Sequence, residues 1–202
     1  IATAVLGLLV SWAFTRLPRA DDRPAAAAQG RQSLAFLRDP AYLIFGGMMF
    51  FYLCAEYSVN GWLVTYLQSR PASLAQFAAA GGDGHAALET YSQAMATLLW
   101  VVILAGRLLS AAVSRRVSQK LMMLVGSAGA LGFFVLMLLS DAAFPITVSV
   151  AGLGLCFSGI CPMIYSDASS ITNLYPLGTS MLLAVGSIGA IIMPTLVGVV
   201  AD

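Results

Sequence analysis

Residues 41–67 read AYLIFGGMMFFYLCAEYSVNGWLVTYL, and this stretch decides the fold. The hydrocarbon core of a bilayer, about 30 Å thick, is crossed by roughly 20 apolar residues of helix. Ala41 to Leu67 supplies that length with one formal charge, Glu56. Five further segments have the same character: Ile1–Leu17, Tyr91–Ser114, Leu121–Leu139, Phe144–Tyr165 and Ser180–Ala201. A membrane β-barrel would show short segments of alternating polarity, and these are absent. The expected fold is therefore all-α, a polytopic helical membrane protein.

Composition agrees. The chain is 59% hydrophobic and 9% charged, with a mean hydropathy of +0.87, whereas a soluble domain carries about 25% charged residues. A net charge of +1 gives no reason to expect a nucleic-acid partner. The chain opens on Ile1, is apolar through Phe14 and stops at Asp202 just after an apolar run, so it reads as a piece of a longer protein. No basic segment precedes the first apolar run, which is therefore not read as a signal peptide.

Orientation follows from Lys and Arg in the connections. Arg16, Arg19, Arg23, Arg31 and Arg38 mark the first loop, and Arg115, Arg116 and Lys120 the third. The stretch Gln68–Thr90 holds Arg70 alone, and the turn at Ser140–Asp141 holds none. Alternate loops are basic, which places loops 18–40 and 115–120 in the cytoplasm and Asp202 near the outer face. Pro18, Pro24 and the run Ala25–Ala28 mark residues 18–40 as a linker between bundles rather than a folded domain.

Polar residues inside spans are costly and so are functional candidates. Glu56 has Tyr52 and Asn60 one helical turn to either side, which puts all three on one face directed into a bundle or a wet cavity. A solute-binding or proton-carrying carboxylate and a buried structural acid are the two readings of Glu56. Asn60-Gly61 is a poor helix interior, so the span is expected to unwind or kink there. Trp62 could stack on a solute or belong, with Tyr66, to the interfacial aromatic belt. In the next span Gln93, Thr97, Trp100, Leu104 and Arg107 form one stripe, whose polar members are candidates for a cavity lining. Arg107 is read as structural or gating, and Asp167 either as a gate residue or as a solvated loop-end acid.

The last two spans are rich in small residues, Gly152, Gly154, Ser158, Gly159, Gly186, Gly189 and Ala190, which let helices approach closely. Pro162 and Pro194 are expected to add kinks. Cys54, Cys156 and Cys161 lie in apolar runs and are read as packing residues. The single histidine, His85, sits in a Gly/Ala-rich stretch expected to be loop. Neither a metal nor a cofactor is expected, and no nucleotide-binding or hydrolase motif is present.

The run from Gly106 and Arg107 through Arg115, Arg116 and Lys120 resembles the second copy of the cytoplasmic loop motif of the major facilitator superfamily, Gly-x-Leu-Ala-Asp-Arg-x-Gly-Arg-Lys. Ala111 stands at its first glycine, Arg115 at its aspartate and Ser118 at its second glycine, while Arg116 and Lys120 keep its basic character. The stretch Ala55–Tyr66, with Glu56, Trp62 and Tyr66, looks like the seventh helix of the fucose-permease-like branch. Gly186–Pro194 with Gly198–Asp202 looks like its eleventh helix.

The resemblance implies the C-terminal half of a major facilitator fold. Residues 1–17 would end helix six, 18–40 would link the bundles, and 41–202 would hold five spans of the second bundle, the last helix lying outside the chain. It further implies a secondary transporter in a bacterial cytoplasmic membrane. Such a transporter would be monomeric as the full-length protein and would move a small polar solute, a sugar in the first instance, together with protons by alternating access. Tyr52, Glu56, Asn60, Trp62, Gln93, Thr97 and Trp100 would face the solute, and Arg107, Arg116, Lys120 and Asp167 would serve the cytoplasmic gate. Drug or metabolite efflux and a non-transporting receptor or scaffold are the alternatives.

Overall fold

The computed structural model describes residues 34–79, 83–173 and 175–201. The expected first span, Ile1–Leu17, and most of the 18–40 linker lie outside the described residues. A short 3-10 helix, Leu34–Arg38, leads into α1 (Pro40–Ser69). Then come α2 (Pro71–Ala79), α3 (Gly84–Val113), α4 (Gln119–Leu139), α5 (Ala143–Thr172) and α6 (Pro176–Ala201). No strand occurs among the described residues.

Five of these helices are long and apolar enough to cross a membrane, all but α2. The shortest, α4, has 21 residues, about 31 Å of helix at 1.5 Å per residue. The outer surface is unlike that of a water-soluble protein. Leu108, Phe144, Leu139 and Val200 are more than 70% exposed, while Glu56, Ser92, Ser149 and Ser158 are buried. Lipid can solvate the leucines but not the acid, so the polar groups turn inward.

The helices alternate in direction, which defines two ends. One, the basic end, carries Arg115, Arg116 and Lys120; the other carries Arg70. The closest partners are α1 with α6, α4 with α5, and α3 with α5. Small residues set these distances. A Cβ added at Gly189 of α6 would lie 2.8 Å from the Phe50 carbonyl oxygen of α1, and one at Gly106 of α3 would overlap Ser158 of α5. Helix α5 is the most enclosed span, half of its most apolar stretch being buried, against 11% for α6.

At the basic end Tyr42 donates to the Gly178 carbonyl at 2.7 Å, joining the starts of α1 and α6. Phe36, 1% exposed, packs edge-on against the Tyr42 ring at 4.8 Å and at a tilt against the Tyr175 ring at 5.5 Å.

Several boundaries differ from the sequence reading. Much of the expected loop Gln68–Thr90 is helical: α2 fills part of it, and α3 begins at Gly84 rather than Tyr91. Pro71 suits a first helical position. The Asp83 side chain caps α3 by accepting from His85 N at 3.1 Å and Ala86 N at 3.4 Å. His85 therefore stands in a first helical turn and not in a loop. Helix α5 runs on from Tyr165 to Thr172, so Asp167 is intrahelical, and α6 starts at Pro176 rather than Ser180. Helix α1 stays continuous through Asn60-Gly61, where unwinding was expected. The Asn60 amide donates to the Glu56 carbonyl at 2.9 Å, which occupies the side chain within the helix instead of breaking it.

Candidate solute site

The face Tyr52–Glu56–Asn60 is the first element of the site. Tyr52 and Glu56 are 6% and 3% exposed, and Asn60 is half-buried. The Tyr52 hydroxyl donates to the Phe157 carbonyl of α5 at 3.1 Å, and the two rings meet edge-on at 6.2 Å. This bond fixes the phenol between α1 and α5, beside the Glu56 carboxyl. Arg107 of α3 and Cys161 of α5 lie within electrostatic reach of that carboxyl. Among the described residues Glu56 forms no ion pair; the one found there is Arg70–Asp141, far along the helix. Burying a carboxylate without a close countercharge costs several kcal/mol, so this acid is held by the fold against its own solvation preference. Its position can take a proton or accept hydrogen bonds from a hydroxylated solute.

The α3 stripe is the second element. Gln93, Thr97, Trp100, Leu104 and Arg107 are all exposed, Trp100 at 52%, whereas Ser92, Met95, Leu99, Ile103 and Gly106 on the other side of α3 are buried. The stripe is thus an open face of the bundle. Thr97 donates to the Gln93 carbonyl at 3.0 Å within the helix. No hydrogen bond joins Gln93, Thr97 or Trp100 to Tyr52, Glu56 or Asn60 among the described residues. Arg107 is the member of the stripe that the fold brings toward Glu56.

Trp62 is placed differently from its neighbours. Its indole N–H donates to the Pro194 carbonyl of α6 at 2.8 Å, and a Cβ at Gly198 would meet the ring at 2.8 Å. The ring is a bridge between α1 and α6 whose donor is already occupied. The glycine and the carbonyl that seat this half-buried ring are more than 130 residues away in sequence.

The four residues grouped as a gate are also separated. Lys120 and Asp167 line one cleft of about 580 Å³ at the basic end, together with Phe45, Met48, Met123, Leu124 and Ser127. Arg116 borders another depression with Arg115 and Leu108, and Arg107 lies deeper, toward Glu56. At the same end Gln119 donates to the Ser166 hydroxyl at 2.5 Å, linking α4 to α5. Sequence reading gave no polar role to Gln76, Tyr91 or Asp141 and took Cys161 for a packing residue only. Their roles depend on partners from distant spans, and no local pattern marks them.

Long apolar helices around an inward-facing polar patch define an integral, multi-pass helical membrane protein. Within that class the chain is similar to Major facilitator superfamily domain-containing protein 4A of Xenopus tropicalis, at 27% identity over 147 residues. The aligned region covers 72% of this chain and 26% of that relative, so the chain spans about a quarter of the relative's length. The similarity accords with the major facilitator resemblance of the run from Gly106 to Lys120. No family model and no solved structure matches the chain.

Proposed function

We propose that the chain forms part of the second bundle of a secondary transporter of the fucose-permease-like branch. It would move a small polar solute, a sugar in the first instance, by alternating access coupled to protons. The observation that carries this reading is Glu56: a carboxyl group 3% exposed in an apolar span, without an ion pair among the described residues, beside a tyrosine and open electrostatically to Arg107. A lipid-facing scaffold has no use for such a group, because its burial opposes stability. Tyr52, Glu56 and Asn60 form the solute face on this reading, with Gln93, Thr97 and Trp100 on the adjoining open face of α3. The basic end faces the cytoplasm, in line with the distribution of Lys and Arg. Lys120 and Asp167 are the gate candidates there.

The test uses the full-length protein in proteoliposomes with an imposed proton gradient and a panel of labelled sugars. Uptake driven by the gradient is expected, and Glu56→Gln should lower it by about tenfold or more, the effect of roughly 1.4 kcal/mol on the barrier. Thermal stability of the variant should be retained. If no solute moves and Glu56→Gln changes nothing, the transporter reading of this face fails.

A further inference from the structure

The α4–α5 hairpin has little local capping: Ser140, at the C-cap of α4, donates from its hydroxyl to the Leu136 carbonyl at 2.6 Å. The last carbonyls of an α-helix and the first N–H groups of the next lack intrahelical partners. Helix α4 has no basic residue in its last turn, and Ala142, at the N-cap of α5, makes no side-chain capping bond. The carbonyls of Met137, Leu138 and Ser140 find their side-chain donor elsewhere in the chain. Arg70, just past the end of α1, donates from Nη1 to the Met137 carbonyl at 3.3 Å and the Ser140 carbonyl at 2.6 Å. From Nη2 it donates to the Leu138 carbonyl at 3.3 Å and to Asp141 Oδ1 at 2.8 Å. Its guanidinium lies over the Tyr66 ring, 5.3 Å from the centroid. One cation thus meets the negative end of the α4 dipole with a planar fork of donors.

The other side of the hairpin is capped as well. Gln76 of α2 accepts from Ala143 N at 3.1 Å, which satisfies an N–H at the start of α5. Tyr91 of α3 donates to the Ala143 carbonyl at 2.9 Å and lies 3.0 Å from the Thr147 hydroxyl. Phe77 of α2 packs on the Tyr91 ring at 5.1 Å. Short helix α2 is therefore more than a connection: with Arg70 it supplies to the hairpin what the hairpin's own sequence omits.

We infer that Arg70 and Gln76 form a cap in trans, with Tyr91 of α3 as an added tie to the first turn of α5, that makes the Arg70 end of α1, all of α2 and the α4–α5 hairpin one cooperative unit. Motion at this end is motion of the unit as a whole, and any opening there runs along the open face of α3 rather than between α2 and the hairpin. The inference does not depend on transport. Hydrogen exchange read by mass spectrometry on the full-length protein in nanodiscs tests it. Arg70→Ala should speed exchange by about tenfold or more in two places together, residues 139–147 and 75–79, as expected when one unit opens. Arg70→Lys, with one ammonium for four acceptors, should fall between the variant and the parent. Asp141→Asn leaves the three carbonyl bonds and should stay near the parent. Wild-type exchange in Arg70→Ala would overturn the inference. So would faster exchange at 139–147 without any at 75–79, or an Asp141→Asn variant matching Arg70→Ala. If Arg70→Ala does not accumulate, Arg70→Lys and Gln76→Ala carry the same comparison, and coupled acceleration is again the result required.

Discussion

At the Arg70 end one guanidinium serves three main-chain carbonyls and a carboxylate of the α4–α5 turn, and Gln76 and Tyr91 add two further ties. At the basic end Lys120 and Asp167 face a common cleft of about 580 Å³ without forming an ion pair. There the ties between helices are the single bonds Tyr42 to Gly178 and Gln119 to Ser166 among the described residues. The number of charges does not explain the contrast, since the basic end is the richer in charge. What differs is whether a charge meets fixed acceptors or open space. A cation against orphaned carbonyls gains charge-assisted bonds in one geometry; a cation at the rim of a cleft keeps its water and its rotamers.

Graded substitutions can break or sharpen this contrast. Arg70→Ala should be the most damaging, lowering unfolding stability by about 2–3 kcal/mol because two half-buried carbonyls and one exposed one lose a charged donor together. A fall in melting temperature no larger than that of Lys120→Ala would erase the contrast. Trp62→Phe, which removes only the N–H bonded to Pro194, should cost about 1 kcal/mol in the same thermal assay. Tyr42→Phe at the basic end should cost a similar amount, about 1 kcal/mol, because its bond to Gly178 is buried but neutral. A larger loss there would mean that the basic end is fastened by more than it displays. Lys120→Ala should change stability by less than about 0.5 kcal/mol, as exposed single charges do. If transport of the full-length variant falls while its melting temperature holds, the cleft has a gating role that the Arg70 end lacks.

The spanning helices were legible because lipid imposes a length and a composition that few other environments demand. Ala41–Leu67 and Leu121–Leu139 fall within α1 and α4, differing by no more than two residues at any end. The start of α3 was harder to see, since Gly84, His85 and Glu89 lie beyond the apolar run although Asp83 caps the helix. Asn60-Gly61 misled for a local reason: an asparagine that bonds to the carbonyl one turn back is compatible with a helix that propensity disfavours. Of the candidate site, the Tyr52–Glu56–Asn60 face was readable from the spacing of four. The seat of Trp62 and the reach of Arg107 toward Glu56 were not, because each depends on which distant span becomes the neighbour.

Three of the four acceptors that Arg70 engages are peptide oxygens, supplied equally by any side chain at positions 137, 138 and 140. At these three positions the arginine reads the course of the main chain and not the side chains, so the demand that this contact makes on sequence falls mainly on position 70.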